Sequence, residues 1–468
     1  MLMFAVSMAC MVSMGFGSCR TEKATTKPQT TKPETTKPQN GSVSAVKPDS
    51  ISVRSVGAKG DGKTDDFAAI QRAFSTVKPG GVVFFPAGTY MMGDAAKIQI
   101  NNLTIKGEGA RSIIKFNNSQ DLYVKYGKRA GVFNVMAVGI SIKNLYFDQN
   151  FRESGRQDGG LAKSGCILVG GAAFGKPATV KNLLVENCTF YDYYGDALSA
   201  FNAYCSDVIY RKNVFISSYI AERWTVAGVH GEQAINFSSV NNALVENNDI
   251  QGALDDAIVV HSNSANVVFR NNTITTTGGR ILMNGTSGGV IEGNVIRYIE
   301  GGACAIMVSY NFAGEKVVLN DGVVVKNNII TIENGVHISQ AIRLNGAGNN
   351  IVVEGNVIEF KDTPSVGIEF GDRRSIKVGT FSAGEGITIK NNTIRRATVG
   401  IQETTVREAY RGVAIAGNKI EDTETGVNAD PKSVQPNNYK NVSVPTRNVP
   451  IKERPKQPKA IKEEDDKD

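Results

Sequence analysis

Short segments of alternating apolar and polar residues recur along this chain, and many of them contain the phrase Asn-x-Ile. Successive copies are 24, 22, 34, 28, 36 and 26 residues apart. The copies are Asn248-Asp249-Ile250, Asn272-Thr273-Ile274, Asn294-Val295-Ile296, Asn328-Ile329-Ile330, Asn356-Val357-Ile358, Asn392-Thr393-Ile394 and Asn418-Lys419-Ile420. A base period in the low twenties without 3.6-residue periodicity is typical of a β solenoid. The pattern predicts a parallel β-helix in which each repeat forms one coil.

A second recurring position, a small residue followed by an aliphatic one, supports the same register. The pairs are Ala197-Leu198, Ala234-Ile235, Ala257-Ile258, Ala305-Ile306, Ala341-Ile342, Gly367-Ile368, Gly400-Ile401 and Gly426-Val427. Aliphatic side chains at one position of every coil stack into a dry interior, with neighbouring coils about 4.8 Å apart. The recurring Asn is expected to form a ladder of amide hydrogen bonds at the turns, so it is not a candidate functional residue.

An amphipathic helix is predicted shortly before these repeats. Thr64 fits its N-cap, with Asp65 and Asp66 in the first turn, where the helix dipole favours negative charge. The apolar stripe of this helix comprises Phe67, Ile70 and Phe74. Such a helix would cover the strand edges at the open end of the solenoid. The aspartate pair is therefore expected to be structural rather than catalytic.

The two ends of the chain differ in composition from the repeats. Residues 1–19 are predicted to be a lipoprotein-type signal that ends at Cys19, the residue expected to carry the lipid; an ordinary secretory signal is the alternative. Residues 20–48 contain Thr-Thr-Lys-Pro three times and are predicted to form an extended tether. The β-helix domain is predicted over 49–445, and the charged tail 446–468 is expected to be disordered. The protein is thus expected to be exported and either anchored to a membrane, at the bacterial cell surface or in the periplasm, or secreted.

The positive charge of the chain lies mostly in these ends. The formal net charge is +7, of which +4 belongs to residues 20–48 and +1 to the tail from Arg447. The predicted solenoid itself is therefore close to neutral, and nucleic acid is not an expected partner.

Four cysteines lie within the predicted solenoid, at Cys166, Cys188, Cys205 and Cys304. Their spacing matches no metal site. Buried thiols are expected, with a disulfide among the first three as the alternative.

Residues 51–93 resemble the opening segment of the pectate-lyase-like superfamily, which includes rhamnogalacturonases, polysaccharide epimerases and phage tailspikes. The matching residues are Gly57-Ala58-Lys59-Gly60-Asp61-Gly62, Thr64-Asp65-Asp66, Ala69-Ile70, Gly80-Gly81 and Phe85-Pro86-Ala87-Gly88-Thr89-Tyr90. The resemblance implies an all-β fold, a right-handed single-stranded parallel β-helix with an N-terminal capping helix. It does not imply one reaction, since the segment is shared by several reaction types.

A second resemblance concerns Leu254-Asp255-Asp256-Ala257-Ile258, which is similar to the Gly-Asp-Asp-Cys-Val segment of polygalacturonase-type glycoside hydrolases. It implies that Asp255 and Asp256 act at the active site. Paired carboxylates suit glycosidic cleavage, and crowding raises the pKa of one of them, as a general acid requires. The alternative is an ordinary turn before a strand.

The neighbouring coils depart from that family pattern. Gln233 occupies the position of a third aspartate, with Glu232 one residue earlier. In the following coil Gly279 and Arg280 replace the Gly-His-Gly segment, and no Arg-Ile-Lys segment follows. A plain polygalacturonase activity is therefore not expected.

Two arrangements of carboxylates remain open. Asp196 lies in the column of Asp256 two coils earlier, about 9.6 Å away along the solenoid, near the upper end of the ~6.5–9.5 Å range of inverting pairs. Glu232 and Asp255 share the adjacent column one coil apart, at about 4.8 Å, which suits a retaining pair or a cation site.

Substrate-binding candidates surround these carboxylates. The insertion 216–231 contains the only tryptophan, Trp224, together with Arg223 and His230. An indole suits the apolar face of a sugar and Arg223 a uronate carboxylate, although Trp224 could equally anchor the loop. His261 and Arg280 complete this set.

The leading hypothesis is a carbohydrate-active enzyme that cleaves glycosidic bonds of a polysaccharide by carboxylate acid/base catalysis. The catalytic candidates are Asp196, Asp255, Asp256 and Glu232. One alternative is a polysaccharide lyase, or a uronate epimerase, in which the acidic cluster holds Ca²⁺ and Arg280 or Arg223 takes the α-proton. Another is a non-catalytic surface protein that binds glycan. No cofactor is expected apart from Ca²⁺ in the lyase case. The expected partner is a polysaccharide, and acidic polysaccharides are included. The sequence pattern does not indicate the oligomeric state.

Overall fold

A computed structural model of the chain describes residues 49–435, with several internal gaps. The gaps are 118–121, 123–124, 127–129, 151–164, 172–173, 176, 194, 201–203, 218–232, 254, 262, 314–315, 347, 373–383, 406–409 and 432. The predicted signal with Cys19, the tether and the tail lie outside the described residues, so these assignments remain predictions.

Three long parallel sheets run along a right-handed β-helix, and each coil after the first contributes one main strand to each sheet. In spatial order, sheet 1 contains Ser50–Ser52, Val82–Phe84, Thr104–Lys106, Ser141–Lys143, Thr179–Glu186, Tyr204–Arg211, Val240–Glu246, Ser264–Arg270, Val290–Glu292, Val324–Lys326, Val352–Glu354, Thr388–Lys390 and Ala414–Ala416, with the short strands Thr286–Ser287, Asn320–Asp321 and Gly348–Asn349 beside them. Sheet 2 contains Asp61–Asp65, Gly88–Met92, Ser112–Phe116, Tyr146–Asp148, Thr189–Tyr193, Val214–Ser217, Asp249–Gln251, Thr273–Thr276, Val295–Tyr298, Ile329–Ile332, Val357–Phe360, Thr393–Arg395 and Lys419–Glu421.

Sheet 3 contains the predicted site residues Asp256, His261 and Arg280. Its strands are Ala96–Ile98, Gly131–Val135, Gly165–Val169, Leu198–Ala200, Ile235–Ser238, Asp256–His261, Arg280–Asn284, Gly302–Ser309, Ile338–Asn345, Val366–Asp372, Val399–Thr405 and Thr425–Asn428. Outside the three sheets the structure describes an antiparallel pair, Asn311–Ala313 with Lys316–Val318, the helix α1 (Phe67–Thr76) and the 3-10 turns Val53–Val56 and Gly109–Arg111. The predicted fold is confirmed.

The predicted aliphatic column is confirmed as the inward-facing row of sheet 3. Residue by residue across neighbouring strands, it runs Leu198, Ile235, Ile258, Ile281, Ile306, Ile342, Ile368, Ile401 and Val427. The small residue before it, for example Ala234 or Ala257, is also buried in the interior core. Two consecutive residues thus point inward where the chain enters sheet 3, and only a small side chain fits the first position.

The recurring Asn residues form the predicted ladder. Each side-chain amide donates to the Oδ1 of the next Asn, at 2.9–3.0 Å, from Asn213 through Asn418. The residue before each rung adopts a positive φ, as at Asn271 (54°) and Gly293 (63°). This conformation favours Asn and Gly, which precede every rung except Asn213, where Lys212 adopts it.

The capping helix is confirmed, but its predicted N-terminus is wrong. Helix α1 begins at Phe67 with Asp66 at the N-cap, while Thr64 lies in a strand of sheet 2. Asp65 Oδ1 accepts from the N–H of Phe67 at 3.0 Å, and the Asp66 carboxylate accepts from two N–H groups of the preceding turn. Because these hydrogen bonds hold the turn that precedes the helix, the two carboxylates lie before the helix rather than in its first turn. Both aspartates are structural, as expected.

Helix α1 covers the first edge of sheet 3. Gln71 donates to the carbonyl oxygen of Lys97 at 3.2 Å and accepts from its N–H at 2.8 Å. Its apolar side packs Ile70 and Phe74 into the core. A glutamine that pairs with both backbone groups of an edge residue prevents that edge from recruiting another strand. Within the described residues no helix is both long and apolar enough to cross a bilayer.

Charges alternate in sign along one outward-facing row of sheet 1. In successive coils the row reads Lys143, Glu186, Arg211, Glu246, Arg270, Glu292, Lys326, Glu354 and Lys390. Ion pairs join members of the row, as between Arg211 and Glu186 at 2.7 Å and between Arg270 and Glu246 at 2.8 Å. We call this row the charge ladder.

All four cysteines of the solenoid are buried free thiols, so the disulfide alternative is not supported. Burial raises the pKa of Cys188 and Cys205 to about 12 and that of Cys304 to about 11. It raises the pKa of Cys166 as well.

Candidate functional site

The register of sheet 3 places Asp196 and Asp256 at equivalent positions of their coils, as the sequence predicts, while their catalytic roles stay predictions. Leu198, Ile235 and Ile258 are paired across neighbouring strands, so the residues two positions earlier lie in successive coils. Those residues are Asp196, Gln233 and Asp256. Two coil steps separate the backbones of Asp196 and Asp256 by roughly 9.6 Å. Both aspartates are about 3% exposed, which is unusual for ionisable side chains.

Arg280 pairs with Asp256 directly. The coil that follows Asp256 lacks the small inward residue, so Ala257 forms a bulge and Arg280 becomes the strand partner of Asp256. Its Nε lies 2.7 Å from Asp256 Oδ1. The side chain of Arg280 is 25% exposed and that of Asp256 is 4% exposed. The coil pattern predicts Arg280 directly after the histidine position of the polygalacturonase-type segment; the bulge instead makes Arg280 the counter-ion of the buried carboxylate.

Burial determines the charge state of Asp256. Loss of water contact raises the pKa of its carboxyl to about 7. The Arg280 guanidinium lowers the pKa in part, while the negative charges of Asp255 and Asp196 raise it. A carboxyl with a pKa near neutrality can donate a proton at physiological pH, as a general acid must.

A chain of hydrogen bonds joins Asp255 to Asp196. Gln233 donates from Nε2 to Asp255 Oδ2 at 2.7 Å and accepts from Asn236 Nδ2 at 3.0 Å. The same Asn236 amide lies 3.4 Å from Asp196 Oδ2. Asp255 itself is exposed, so its carboxylate is accessible to a ligand. Gln233 therefore bridges two candidate catalytic residues, Asp255 directly and Asp196 through Asn236.

Asn236 is a site residue that the sequence analysis missed. It is 2% exposed and lies on the strand Ile235–Ser238 between the inward residues Ile235 and Phe237. A polar residue between two core residues, one coil before Asp255 and Asp256, was the feature that could have identified it.

The remaining predicted residues are His261, which the structure describes, and four residues that it does not. Glu232, Arg223, Trp224 and His230 lie outside the described residues, so their predicted roles stay predictions. His261 ends the strand that begins at Asp256, five residues away, which is roughly 16 Å along a parallel strand. The structure therefore does not bring His261 to the carboxylates.

No group of three His, Cys, Asp or Glu residues in the described part of the chain is arranged to hold a metal ion. The cation site considered for a lyase would include Glu232, which is not among the described residues.

An apolar patch separates this site from a second ion pair on the outer face of sheet 3. The patch comprises Val259, Leu282, Cys304 and Met307, all buried and distinct from the interior core. Beyond it Arg343 Nε lies 3.5 Å from Glu369 Oε1, and Arg343 also donates to Asn345 at 2.9 Å. Among the described residues this face thus holds a second arginine–carboxylate pair, which does not adjoin the candidate site.

Two family models match the chain. Residues 50–281 match the model described as "Rhamnogalacturonase A/epimerase, pectate lyase-like". Residues 217–382 match the model described as "Right handed beta helix region".

Solved structures with the same fold include several proteins that act on polysaccharides. The Azotobacter vinelandii mannuronan C-5 epimerase AlgE6 A-module is 16% identical, with 85% of this chain and 99% of that chain covered and a TM-score of 0.60. The exopolygalacturonase of Thermotoga maritima is 14% identical, with 81% and 88% covered and a TM-score of 0.51. The GH87 α-1,3-glucanase catalytic unit of Streptomyces thermodiastaticus is 15% identical, with 84% and 67% covered and a TM-score of 0.52. At these identities the likeness establishes the fold alone.

Curated relatives match only short stretches. The pre-neck appendage protein of Bacillus phage phi29 is 37% identical over 78 residues, which are 16% of this chain and 9% of that protein. A probable glucan endo-1,3-beta-glucosidase of Arthroderma benhamiae is 43% identical over 58 residues, 12% of this chain and 6% of that protein. The chain thus spans about a tenth or less of the length of these relatives. Residues 50–281 are thus similar to the rhamnogalacturonase A/epimerase, pectate lyase-like family, and the fold is a right-handed parallel β-helix.

Proposed function

We propose that this protein cleaves glycosidic bonds of a polysaccharide by carboxylate acid/base catalysis. The observation that carries the proposal is the state of Asp256, a buried carboxyl whose pKa is raised to about 7 and which lies two coils from a second carboxylate. Few structural roles require a carboxyl to titrate near neutrality, whereas a general acid does.

In this mechanism Asp256 protonates the oxygen of the leaving sugar, and a second carboxylate completes the reaction. The roughly 9.6 Å backbone separation from Asp196 is near the upper end of the range in which a water molecule fits between two carboxyl groups, as in inverting hydrolases. Asp196 is then the base that activates this water. The exposed Asp255 carboxylate, held by Gln233, contacts the sugar from the solvent side.

The relatives support a glycan as substrate. Structures of the same fold include an exopolygalacturonase, an endo-xylogalacturonan hydrolase and an α-1,3-glucanase, and a curated relative is a probable glucan endo-1,3-beta-glucosidase. These proteins act on both acidic and neutral glycans, so they favour a polysaccharide without selecting its charge.

A second candidate is uronate epimerisation or lyase chemistry, and the position of Arg280 favours it. A cation beside a carboxylate cluster suits the removal of a proton next to a uronate carboxylate, and a mannuronan epimerase shares the fold. In this case Arg280 acts on the substrate rather than on Asp256.

We also propose that the protein is exported and anchored through a lipid on Cys19. The support is the run of uncharged residues that ends at this cysteine and the tether that follows it. Replacement of Cys19 by Ala should move the protein from the membrane fraction to the soluble fraction; unchanged membrane association would contradict lipid anchoring.

A digestion panel tests the enzymatic proposal. The purified protein is incubated with acidic and neutral polysaccharides, with and without Ca²⁺, while new reducing ends, ultraviolet absorbance of unsaturated uronates and the uronate epimer ratio are followed. Hydrolysis predicts reducing ends without absorbance, lowered roughly 100-fold or more by Asp256→Asn and Asp196→Asn.

The matched control is Asp207→Asn, on sheet 1 and remote from the site. Asp207 has a φ of 59°, a conformation that Asn accepts readily. Full activity in Asp256→Asn would refute the acid/base assignment. Absorbance or an altered epimer ratio would transfer the assignment to the second candidate.

A further inference from the structure

We propose that Arg280 is a positioning residue, whose guanidinium fixes the Asp256 carboxyl and controls its protonation, rather than a residue that binds substrate. The proposal deepens the proposed function, since it rests on the role of Asp256 as proton donor. It replaces the roles in substrate binding and proton abstraction that the sequence suggested for Arg280.

The pairing of the two neighbouring strands places Arg280 directly opposite Asp256. Ala257 is the extra residue of the bulge, so Asp256 and Arg280 are strand partners although Ile258 pairs with Ile281. Gly279 keeps the backbone close to the preceding coil, because a Cβ atom there would lie 2.8 Å from the carbonyl oxygen of Ala253. The glycine before Arg280 and the bulge before Ile258 therefore act together to set the pair.

A buried tyrosine supports the backbone around Arg280. The Tyr298 hydroxyl lies 2.8 Å from the carbonyl oxygen of Gly279 and 2.5 Å from that of Cys304. Tyr298 is fully buried. The segments before Arg280 and beside it in the next coil are thus held by one side chain, which limits the freedom of the guanidinium.

Arg280 supplies the positive charge that offsets the effect of the negative groups around Asp256. Asp255 and Asp196 place negative charge near the Asp256 carboxyl, and burial adds to their effect. On the far side of Arg280 the Cys304 thiol is buried and uncharged at neutral pH. An adjacent cation usually lowers a carboxyl pKa by about 1–3 units. Without Arg280, Asp256 would keep its proton well above neutral pH and would be a weaker proton donor to the leaving oxygen.

The pH dependence of activity separates the two roles. Arg280→Gln should move the limb of the kcat profile that reports Asp256 to higher pH, by roughly 1–3 units. If Asp256 is the acid, the basic limb moves and activity at alkaline pH increases relative to the maximum. Arg280→Lys, which restores a charge, should reverse part of the shift. A residue that only binds substrate would raise KM and leave the kcat profile in place, and that result would overturn the proposal.

Arg343→Gln is the matched control. It removes an arginine from the other arginine–carboxylate pair of the same face, next to Glu369. The variant should lower the unfolding temperature, because it leaves a buried carboxylate without its cation, yet the pH profile of kcat should match that of the unaltered protein. An equal shift in both variants would mean that the effect is general rather than specific to Asp256.

Unfolding measured against pH tests the coupling even if no glycan is cleaved. Folded Asp256 holds its proton to higher pH than unfolded Asp256, so stability falls as pH rises between the two pKa values. Removal of Arg280 should extend that fall to higher pH, and the extension should be absent when Asp256→Asn is combined with Arg280→Gln. An unchanged pH dependence in Arg280→Gln would refute the coupling, whereas silence on the glycan panel alone bears only on the proposed function.

Discussion

Gln233 donates its amide N–H to the Oδ2 of Asp255 at 2.7 Å and reaches Asp196 through Asn236. The polygalacturonase-type pattern that this segment resembles has an aspartate at this position. A neutral donor in its place hydrogen-bonds the Asp255 carboxyl without adding a further negative charge near Asp196 and Asp256. The substitution thus changes the electrostatics of the site and keeps its position in the coil.

Gln233→Glu should reduce activity with little loss of stability. A carboxylate at this position can no longer donate to Asp255, and it adds a like charge 2.7 Å from the Asp255 oxygen. We expect kcat/KM to fall by about 10-fold or more, the equivalent of one charge-assisted hydrogen bond. Activity assays on the best substrate of the panel, with thermal unfolding in parallel, measure both effects.

The chain supplies a matched control in Gln251→Glu. Gln251 donates to Asp249 Oδ2 at 2.8 Å on sheet 2, so it has the same contact away from the site. This variant should share any small change in unfolding temperature and keep its activity. Equal losses of activity in the two variants would contradict a specific role for Gln233.

The stability of the protein should fall between about pH 4 and pH 7 because of Asp256. Its pKa is raised from an ordinary value of 3.8 to about 7 in the folded state. The folded state then binds the proton more tightly, so its advantage is complete below pH 4 and is lost as pH rises through 7. A shift of this size corresponds to at most about 4 kcal/mol.

Chemical denaturation at pH 4, 5.5, 7 and 8 measures this contribution as the slope of unfolding free energy against pH. Asp256→Asn should flatten the slope in this window, although it leaves Arg280 without its carboxylate and lowers stability throughout. Asp207→Asn, at an exposed carboxyl, should retain the slope. An identical slope in Asp256→Asn and the unaltered protein would show that Asp256 titrates at an ordinary pH.

Loss of one rung of the Asn ladder should destabilise the fold. Asn294 donates to the carbonyl oxygen of Phe269 and to Asn328, and its Oδ1 accepts from the N–H of Asn272. Asn294→Ala leaves buried backbone groups without partners, so we expect a loss of about 2–4 kcal/mol in unfolding free energy. Asn241→Ala, at an exposed strand position, should cost less than about 0.5 kcal/mol. Comparable losses at the two positions would contradict the ladder as a source of stability.

The four solenoid thiols should resist alkylation in the folded protein. All are buried and their pKa values are raised, so little thiolate is present at neutral pH. Peptide mass spectrometry after iodoacetamide treatment should find Cys166, Cys188, Cys205 and Cys304 unmodified without denaturant and fully modified in its presence. Fast labelling of any of them in the native state would contradict its burial.

The fold was predictable because its determinants repeat. The same aliphatic position recurs in each coil, so the sequence alone aligns Leu198 with Ile258. The same register places Asp196 in line with Asp256. The helix N-cap was not predictable from the same pattern. Thr64 has the right composition for a cap, but the contacts of Asp65 and Asp66 with distant backbone groups decide where the helix begins.

The pairing of Arg280 with Asp256 also lay beyond the sequence pattern. It depends on one missing small residue, which converts Ala257 into a bulge and shifts the alignment of two coils by one residue. Composition does not show which strand contains the bulge, because backbone hydrogen bonds determine its position. Asn236 was missed for a related reason, since its importance comes from Gln233 and Asp196 in space rather than from its own motif.

The charge ladder of sheet 1 distinguishes each coil from the next, which the uniform interior does not do. The core row repeats Ile and the rungs repeat Asn, so a strand that paired one coil too far along would find nearly identical neighbours. The charge ladder would not accept this error: Glu246 would lie beside Glu186 instead of Arg211, and Arg270 beside Arg211 instead of Glu246. Like charges that face each other across strands are unfavourable. The alternating surface charges therefore favour the correct stacking order of the coils, an order that the uniform interior does not specify.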